Sequence, residues 1–500
     1  MFFLNIYRKK SMTLSKLSWW ALYLVWFFMV GALFLGILKE PKGGLRAPDE
    51  LLSGVSLTAE SSWMGIYLSG QKVGYIHTEI EPRNEGGYEI REYSRLNASM
   101  MGTAQQMRMR MNVITDSTLA LVSFNGQLEA EPYDTQFEGE IKASVLSISM
   151  TTAGKTTDKF IPAPEPIYLS QAIKPLLQAG RLGSGDSLKL AGFDPLSLEM
   201  QDLVVIGAPL QLHRLWGNDV MTRKLTTRLS GLESALYVDE FGNTLGEFGP
   251  MGMVLRREDM QMALDDGGGD RSQVDFLAIY AVKPIGELRA PRRASVVRYR
   301  VIGVSLEHIV AASDRQTIID PDSGLIEVTD QPEIRPANTE KLKKYKRDAP
   351  FIESREKSIR LAALTAVDQG KSRADSLAKL THWVFKAVRK RPAAGIPSAL
   401  AVLQMREGDC NEHSVLFTAM ARSLGIPTRI QMGVVYQGGS FYYHAWPAAW
   451  VDGAWMECDP TFGQETADAA RIALVSGDLS DAVSLASVIG RLSIEIIKER

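Results

Sequence analysis

Between about Ser62 and Gln331 apolar and polar residues alternate with a period of two, and past Pro336 the period becomes helical. That switch constrains the fold more than any other feature. An alternating run buries one face as a strand, whereas apolar residues at i, i+3 and i+7 line one face of a helix. Met107, Met109, Met111 and Val113 alternate with Arg108, Arg110 and Asn112, a half-buried strand whose methionines read as core. Trp63 to Leu68, a Ser69-Gly70 turn, and Gln71 to Glu79 read as a hairpin. Leu236 to Leu245 reads as a second turn-bearing strand pair. Pro162, Pro164 and Pro166 interrupt the pattern before a short helical stretch, Tyr168 to Ala179, and Asp265 to Arg271 has the composition of a loop.

In the helical part, Ser372-Arg-Ala-Asp375 is a capping-box-like start, and Leu377, Leu380, Val384 and Val388 follow on one face. Arg391-Pro392 ends that helix. Lys386, Arg389, Lys390 and Arg391 crowd its last turn and read as complementing the helix dipole. A chain of 500 residues holds two or three domains at about 150 residues each. The expected division is a tail and anchor over 1–45, a β-rich domain over 50–335 and a catalytic domain over 336–500, an α+β chain overall.

Leu17 to Leu38 is 22 residues without a charge. At 1.5 Å per residue such a helix spans a hydrocarbon core of about 30 Å. Trp19, Trp20 and Tyr23 sit at its start, where aromatic side chains favour the membrane interface. Lys39-Glu-Pro-Lys42 follows, without the small-residue site of a cleaved signal peptide. Four basic residues before the run (Arg8, Lys9, Lys10, Lys16) face three after it (Lys39, Lys42, Arg46). The expectation is a single transmembrane helix in the inner membrane, with the bulk of the chain in the periplasm. Lys+Arg 56 against Asp+Glu 58 gives a net charge of −2 and no electrostatic case for nucleic acid. Two cysteines cannot build a disulfide framework, so each is read on its own.

Asn411 to Leu424 reads as a helix, capped by Gly425 with Pro427 beyond. Cys410 falls at its N-terminus, where free N–H groups and the positive dipole end favour a thiolate. Ile430, Met432, Val434 and Tyr436 alternate as a strand; Gln437 to Ser440 turns the chain, and Phe441 to Val451 forms a second strand. Asp452-Gly453 is a two-residue hairpin signal leading into Ala454 to Asp459. If Val451 faces Ala454, paired positions sum to 905. His444, Trp446 and Asp459 then share a face and Cys458 takes the other. Pro447 is the point at which a bulge would change this parity.

Cys410 as nucleophile, His444 as base and Asp459 as the acid that orients the histidine form a coherent set. Gln404 is a candidate for an amide in the oxyanion site, and Trp446 and Trp450 for lining or supporting the cleft. His413, one turn past Cys410, reads as a packing or supporting residue. Zinc held by Cys410, His413, His444 and Cys458, and a Cys410–Cys458 disulfide, are the rival uses of these side chains. The parity of Cys458 opposes both.

These residues resemble the transglutaminase-like superfamily, whose core has a papain-like fold. Gly408-Asp-Cys-Asn-Glu-His-Ser414 is similar to its nucleophile motif, and Ala421 to Arg429 to its helix-end signature. His444-Ala-Trp446 and Trp455 to Thr461 are similar to its histidine and aspartate motifs. The resemblance extends from about Ile359 to Gln464. It implies a thioester on Cys410, formed from a protein or peptide amide and resolved by water or an amine, without metal or other cofactor. The alternative is a non-catalytic module that binds peptide or cell-wall material in the same cleft.

Overall fold

A computed structural model describes residues 44–500 except 53–56, 101–102, 133, 153, 181, 230–231, 266–273, 335, 337–338, 369 and 394–397. The proposed anchor, 17–38, and most of the expected loop at Asp265 to Arg271 lie outside the described residues. No helix among the described residues is long and apolar enough to cross a membrane.

The α+β expectation is corrected: the chain is mainly β, with 50% of residues in strands and 20% in helices. The cause is the extent of the alternating region. Up to Glu258 its strands do not stop at a small domain but form one 16-stranded sheet, largely a meander of antiparallel neighbours. The hairpin expected around Ser69-Gly70 is present as Glu60–Leu68 and Gln71–Pro82, with both turn residues at positive φ. Thr103–Thr115 holds the methionine alternation, with Met111 buried and Met107 and Met109 packed against the core. The helix Ser170–Gly180 puts Leu176 and Leu177 into the same core as Ile90, Val113, Phe124, Leu146, Val205 and Leu236.

The remaining strands build two four-stranded sheets and a parallel two-stranded pair, Arg389–Lys390 with Glu407–Gly408. In one, β1 (Val296–Ile302), β2 (Gln316–Asp320), β3 (Leu325–Thr329) and β8 (Ser493–Glu499) run in the order β2-β3-β1-β8. The other runs β6 (Ala454–Glu457), β5 (Ser440–Val451), β4 (Thr428–Gln437), β7 (Arg471–Gly477). Helices α1 (Lys357–Ala366), α2 (Arg373–Ala387), α3 (Ala399–Met405) and α4 (Cys410–Ser423) pack on the second sheet. One core joins them to Ile430, Met432, Ala445 and Ala449. Another joins β1, β3 and β8 to Val434, Tyr436, Phe441 and Ile472. The final strand, β8, therefore pairs with residues almost two hundred positions earlier, Ile494 opposite Val301.

The β5–β6 hairpin has the expected register: Ala448↔Glu457, Ala449↔Met456, Trp450↔Trp455 and Val451↔Ala454. Asp452 and Gly453 both have positive φ, 51° and 86°, as a type I′ turn requires. Pro447 introduces no slip against β4, where it faces Ile430. Beyond Glu457 the ladder ends, though Cys458 N–H still donates to the Pro447 carbonyl.

Candidate active site

Asp409 is the N-cap of α4. Its carboxylate accepts from Asn411 N–H at 3.0 Å and closes a capping box with Glu412, whose Oε2 accepts from Asp409 N–H at 2.8 Å. Glycine is required just before it, because a Cβ at Gly408 would lie 2.2 Å from the Glu412 side chain. This arrangement sets Cys410 at the first turn. The residue is partly exposed, but its thiol is surrounded by protein and accepts the Ala445 N–H, next to His444 in β5. Ser414 Oγ, one turn on, donates to the Ala445 carbonyl at 3.1 Å and ties helix to strand.

The expected low thiol pKa is corrected. Burial pushes the Cys410 thiol well up, and the nearby Asp409, Glu412 and Asp459 carboxyls add to it, opposed by the Ala445 N–H. The helix terminus has a positive end, but the Asp409 carboxylate already occupies it.

His444 is buried, and its Nε2 lies 2.8 Å from Asp459 Oδ2. A carboxylate only accepts, so Nε2 carries the proton and Nδ1 is left as the basic nitrogen. The imidazole stacks on Phe462, with centroids 5.1 Å apart. Asp459 is fully buried, and its Oδ1 accepts from Thr461 N–H at 2.9 Å and Phe462 N–H at 3.2 Å. Burial alone would raise this carboxyl; His444 and Arg471 outweigh it and hold the group well below the usual carboxylate range.

Arg471, at the start of β7, was not anticipated from sequence. Its Nη1 reaches Asp459 Oδ2 at 2.7 Å, and its Nη2 reaches Gln464 and, at 3.2 Å, Asp468. Asp468 in turn accepts from Arg292 Nη1 at 2.8 Å. A second buried network runs beneath Trp446. Glu457 accepts from Trp446 Nε1 at 2.7 Å, Arg315 Nη1 at 2.8 Å, Ser313 Oγ at 2.5 Å and Gln431 Nε2 at 3.2 Å. Arg315 Nη2 also donates to the Asp468 carbonyl at 2.7 Å, which links the two networks. The only sequence signal for Arg471 was an arginine opening an apolar strand, Arg-Ile-Ala-Leu. Asp409 was more legible, since Asp at N-cap with Glu at N3 is a capping-box pattern.

The other anticipated residues fall elsewhere. Trp446 is fully buried, so it supports the site from beneath and does not line it. Trp450 packs edge-on against Trp455. Gln404 is exposed near the end of α3. His413 is fully buried, with Nδ1 2.6 Å from the Asp409 carbonyl, and burial lowers its basicity. Cys458 lies in the helix-side core beside Thr381, its thiol pushed up to about 12 by burial. Both cysteines are free thiols, and no group of three or more potential metal ligands occurs among the described residues.

No curated protein matches this chain. Among solved structures, a β-barrel-like protein of a domain of unknown function from Brucella abortus is similar at TM-score 0.33 and 10% identity, covering 41% of this chain and 98% of that one. A candidate cysteine protease from Cytophaga hutchinsonii is similar at TM-score 0.27 and 15% identity, covering 41% of this chain and 86% of that one. Residues 362–460 match the model of the transglutaminase-like superfamily. That span contains Cys410, His444 and Asp459 and excludes Arg292, Arg315 and Arg471. Residues 362–460 form a transglutaminase-like domain.

Proposed function

We propose that the protein is a cysteine enzyme that attacks protein or peptide amide bonds, with Cys410 as nucleophile, His444 as base and Asp459 as the orienting acid. The observation that supports this reading is the pairing of His444 with Asp459 through Nε2, on the strand to which Ser414 ties the helix that begins at Cys410.

In this reading His444 Nδ1 takes the thiol proton as sulfur attacks the amide carbonyl, so the thiolate need exist only as the bond forms. Asp459 stabilises the resulting imidazolium. The Asp409 cap already engages the Asn411 and Glu412 N–H groups, so the Cys410 N–H is the donor of this turn that serves the oxyanion. His444 then returns the proton to the departing amine, leaving an acyl group on sulfur. Water or a second amine breaks that thioester.

A non-catalytic binding module is the competing reading, and burial of the thiol close to the Asp409 carboxylate, which disfavours a thiolate, speaks for it. Incubating purified protein with cell lysate, quenching in acid and measuring the mass of the Cys410 peptide separates the two. The enzyme reading expects an acyl adduct on Cys410 that is lost with hydroxylamine and missing in Cys410→Ser. A binding module would retain partners without any adduct.

A further inference from the structure

The basic cluster at the end of α2 does not act as one group. Arg389 and Arg391 both pair with Glu407, and Arg391 also reaches Glu131 at 2.9 Å. Lys390, between them, is exposed and has no carboxylate partner among the described residues. Its backbone pairs with Gly408, two residues before the nucleophile. Its ammonium lies 4.9 Å from the centre of the Phe385 ring and 6.0 Å from that of Phe462. Phe462 is the ring that stacks on His444. Gly463, at φ +69°, lets these rings approach, since a Cβ there would lie 3.1 Å from Phe385. Arg292 also sits over Phe462, at 5.0 Å, but its guanidinium is committed to Asp468.

The local charge gives this cation a purpose. The Asp409 carboxylate, at the N-cap directly before Cys410, disfavours an arriving anion there. Asp459 and Asp468 are neutralised by Arg471 and Arg292, so they need nothing further. Lys390 is left as a positive charge without a carboxylate partner, on an aromatic seat one ring away from His444. Such a seat restricts where the ammonium points without satisfying its charge.

We propose that Lys390 is a substrate-recognition residue that receives a carboxylate carried by the acyl donor next to the scissile amide. The protein would then prefer amides flanked by an acidic group over neutral ones. This inference rests on Cys410 being the nucleophile.

Iodoacetate and iodoacetamide test it, because they alkylate the same thiol and differ in charge. The rate of each at Cys410 is measured by peptide mass in the full chain, in Lys390→Gln and in Lys390→Arg. The expected result is a fall of about tenfold in the iodoacetate rate in Lys390→Gln, with the iodoacetamide rate changed by less than about twofold and Lys390→Arg close to the parent. An unchanged iodoacetate-to-iodoacetamide ratio in Lys390→Gln would overturn the subsite, even with Cys410 fully reactive. Failure of either reagent to modify Cys410 would instead overturn the nucleophile assignment, and the subsite with it.

Discussion

Arg471 Nη1 binds Asp459 through Oδ2, at 2.7 Å, the same oxygen that His444 uses from the other side. The carboxylate is thus gripped between a permanent cation and the imidazole, while its Oδ1 is held by two backbone N–H groups. It has no freedom to turn, and the histidine inherits its orientation.

Replacing Arg471 by Met removes one member of a buried ion network and leaves Asp459 and Asp468 under-compensated. Such a loss costs about 3–5 kcal/mol. Urea unfolding should show it as a lower midpoint, with Arg471→Lys falling between variant and parent. A midpoint unchanged in Arg471→Met would mean that the carboxylates are held by other groups.

Acid should weaken the fold through Asp459. Its folded pKa is depressed relative to about 3.9 in the unfolded chain. The stability it contributes is therefore fully present above about pH 4 and is lost as pH falls through the lower folded value. Unfolding measured between pH 5 and 2 should decline less steeply in Asp459→Asn than in the parent. Parallel curves would show that this carboxylate is not the titrating group.

Asp409 should be the main removable cause of the high Cys410 pKa, since burial cannot be mutated away. Asn caps a helix about as well as Asp. Asp409→Asn should therefore keep α4 and shift the pH dependence of Cys410 alkylation toward lower pH. Glu412, itself held up by burial and by Asp409, will ionise more readily in the variant and offset part of the shift. A shift to higher pH would contradict the charge argument.

Arg315→Met should destabilise the protein by about 3–5 kcal/mol, because it strands the buried Glu457. Adding Glu457→Gln should recover part of that loss, since the pair interacts directly. Strict additivity in urea unfolding would show that the two residues are not coupled.

Local patterns carried much of this structure in the sequence. The Asp452-Gly453 turn set a register that four residue pairs obey, and the Ser372 cap and the Gly425 terminus are where the chain puts them. Pairing between distant segments was not legible. Nothing in the alternation of β1 points to β8, because period two fixes which side a residue faces and not which strand lies beside it. Arg471 and Arg315 escaped for the same reason, since each reaches its carboxylate through the tertiary fold. The direction of the thiol pKa is hidden for a different one: a helix N-terminus favours a thiolate at Cys410 only until the preceding Asp409 takes up its N–H groups. The mainly β class follows from the length of the alternating region, which outweighs the helices that come after Pro336.

The central claim is that Cys410 and His444 act as one unit, and labelling of Cys410 by iodoacetamide in His444→Ala tests it most directly. If the two act as one unit, the imidazole accepts the thiol proton as alkylation proceeds. The labelling rate at Cys410 should fall by about tenfold or more in the variant, with a smaller fall in Asp459→Asn, which keeps the base and loosens its orientation. A rate unchanged in His444→Ala would contradict the account.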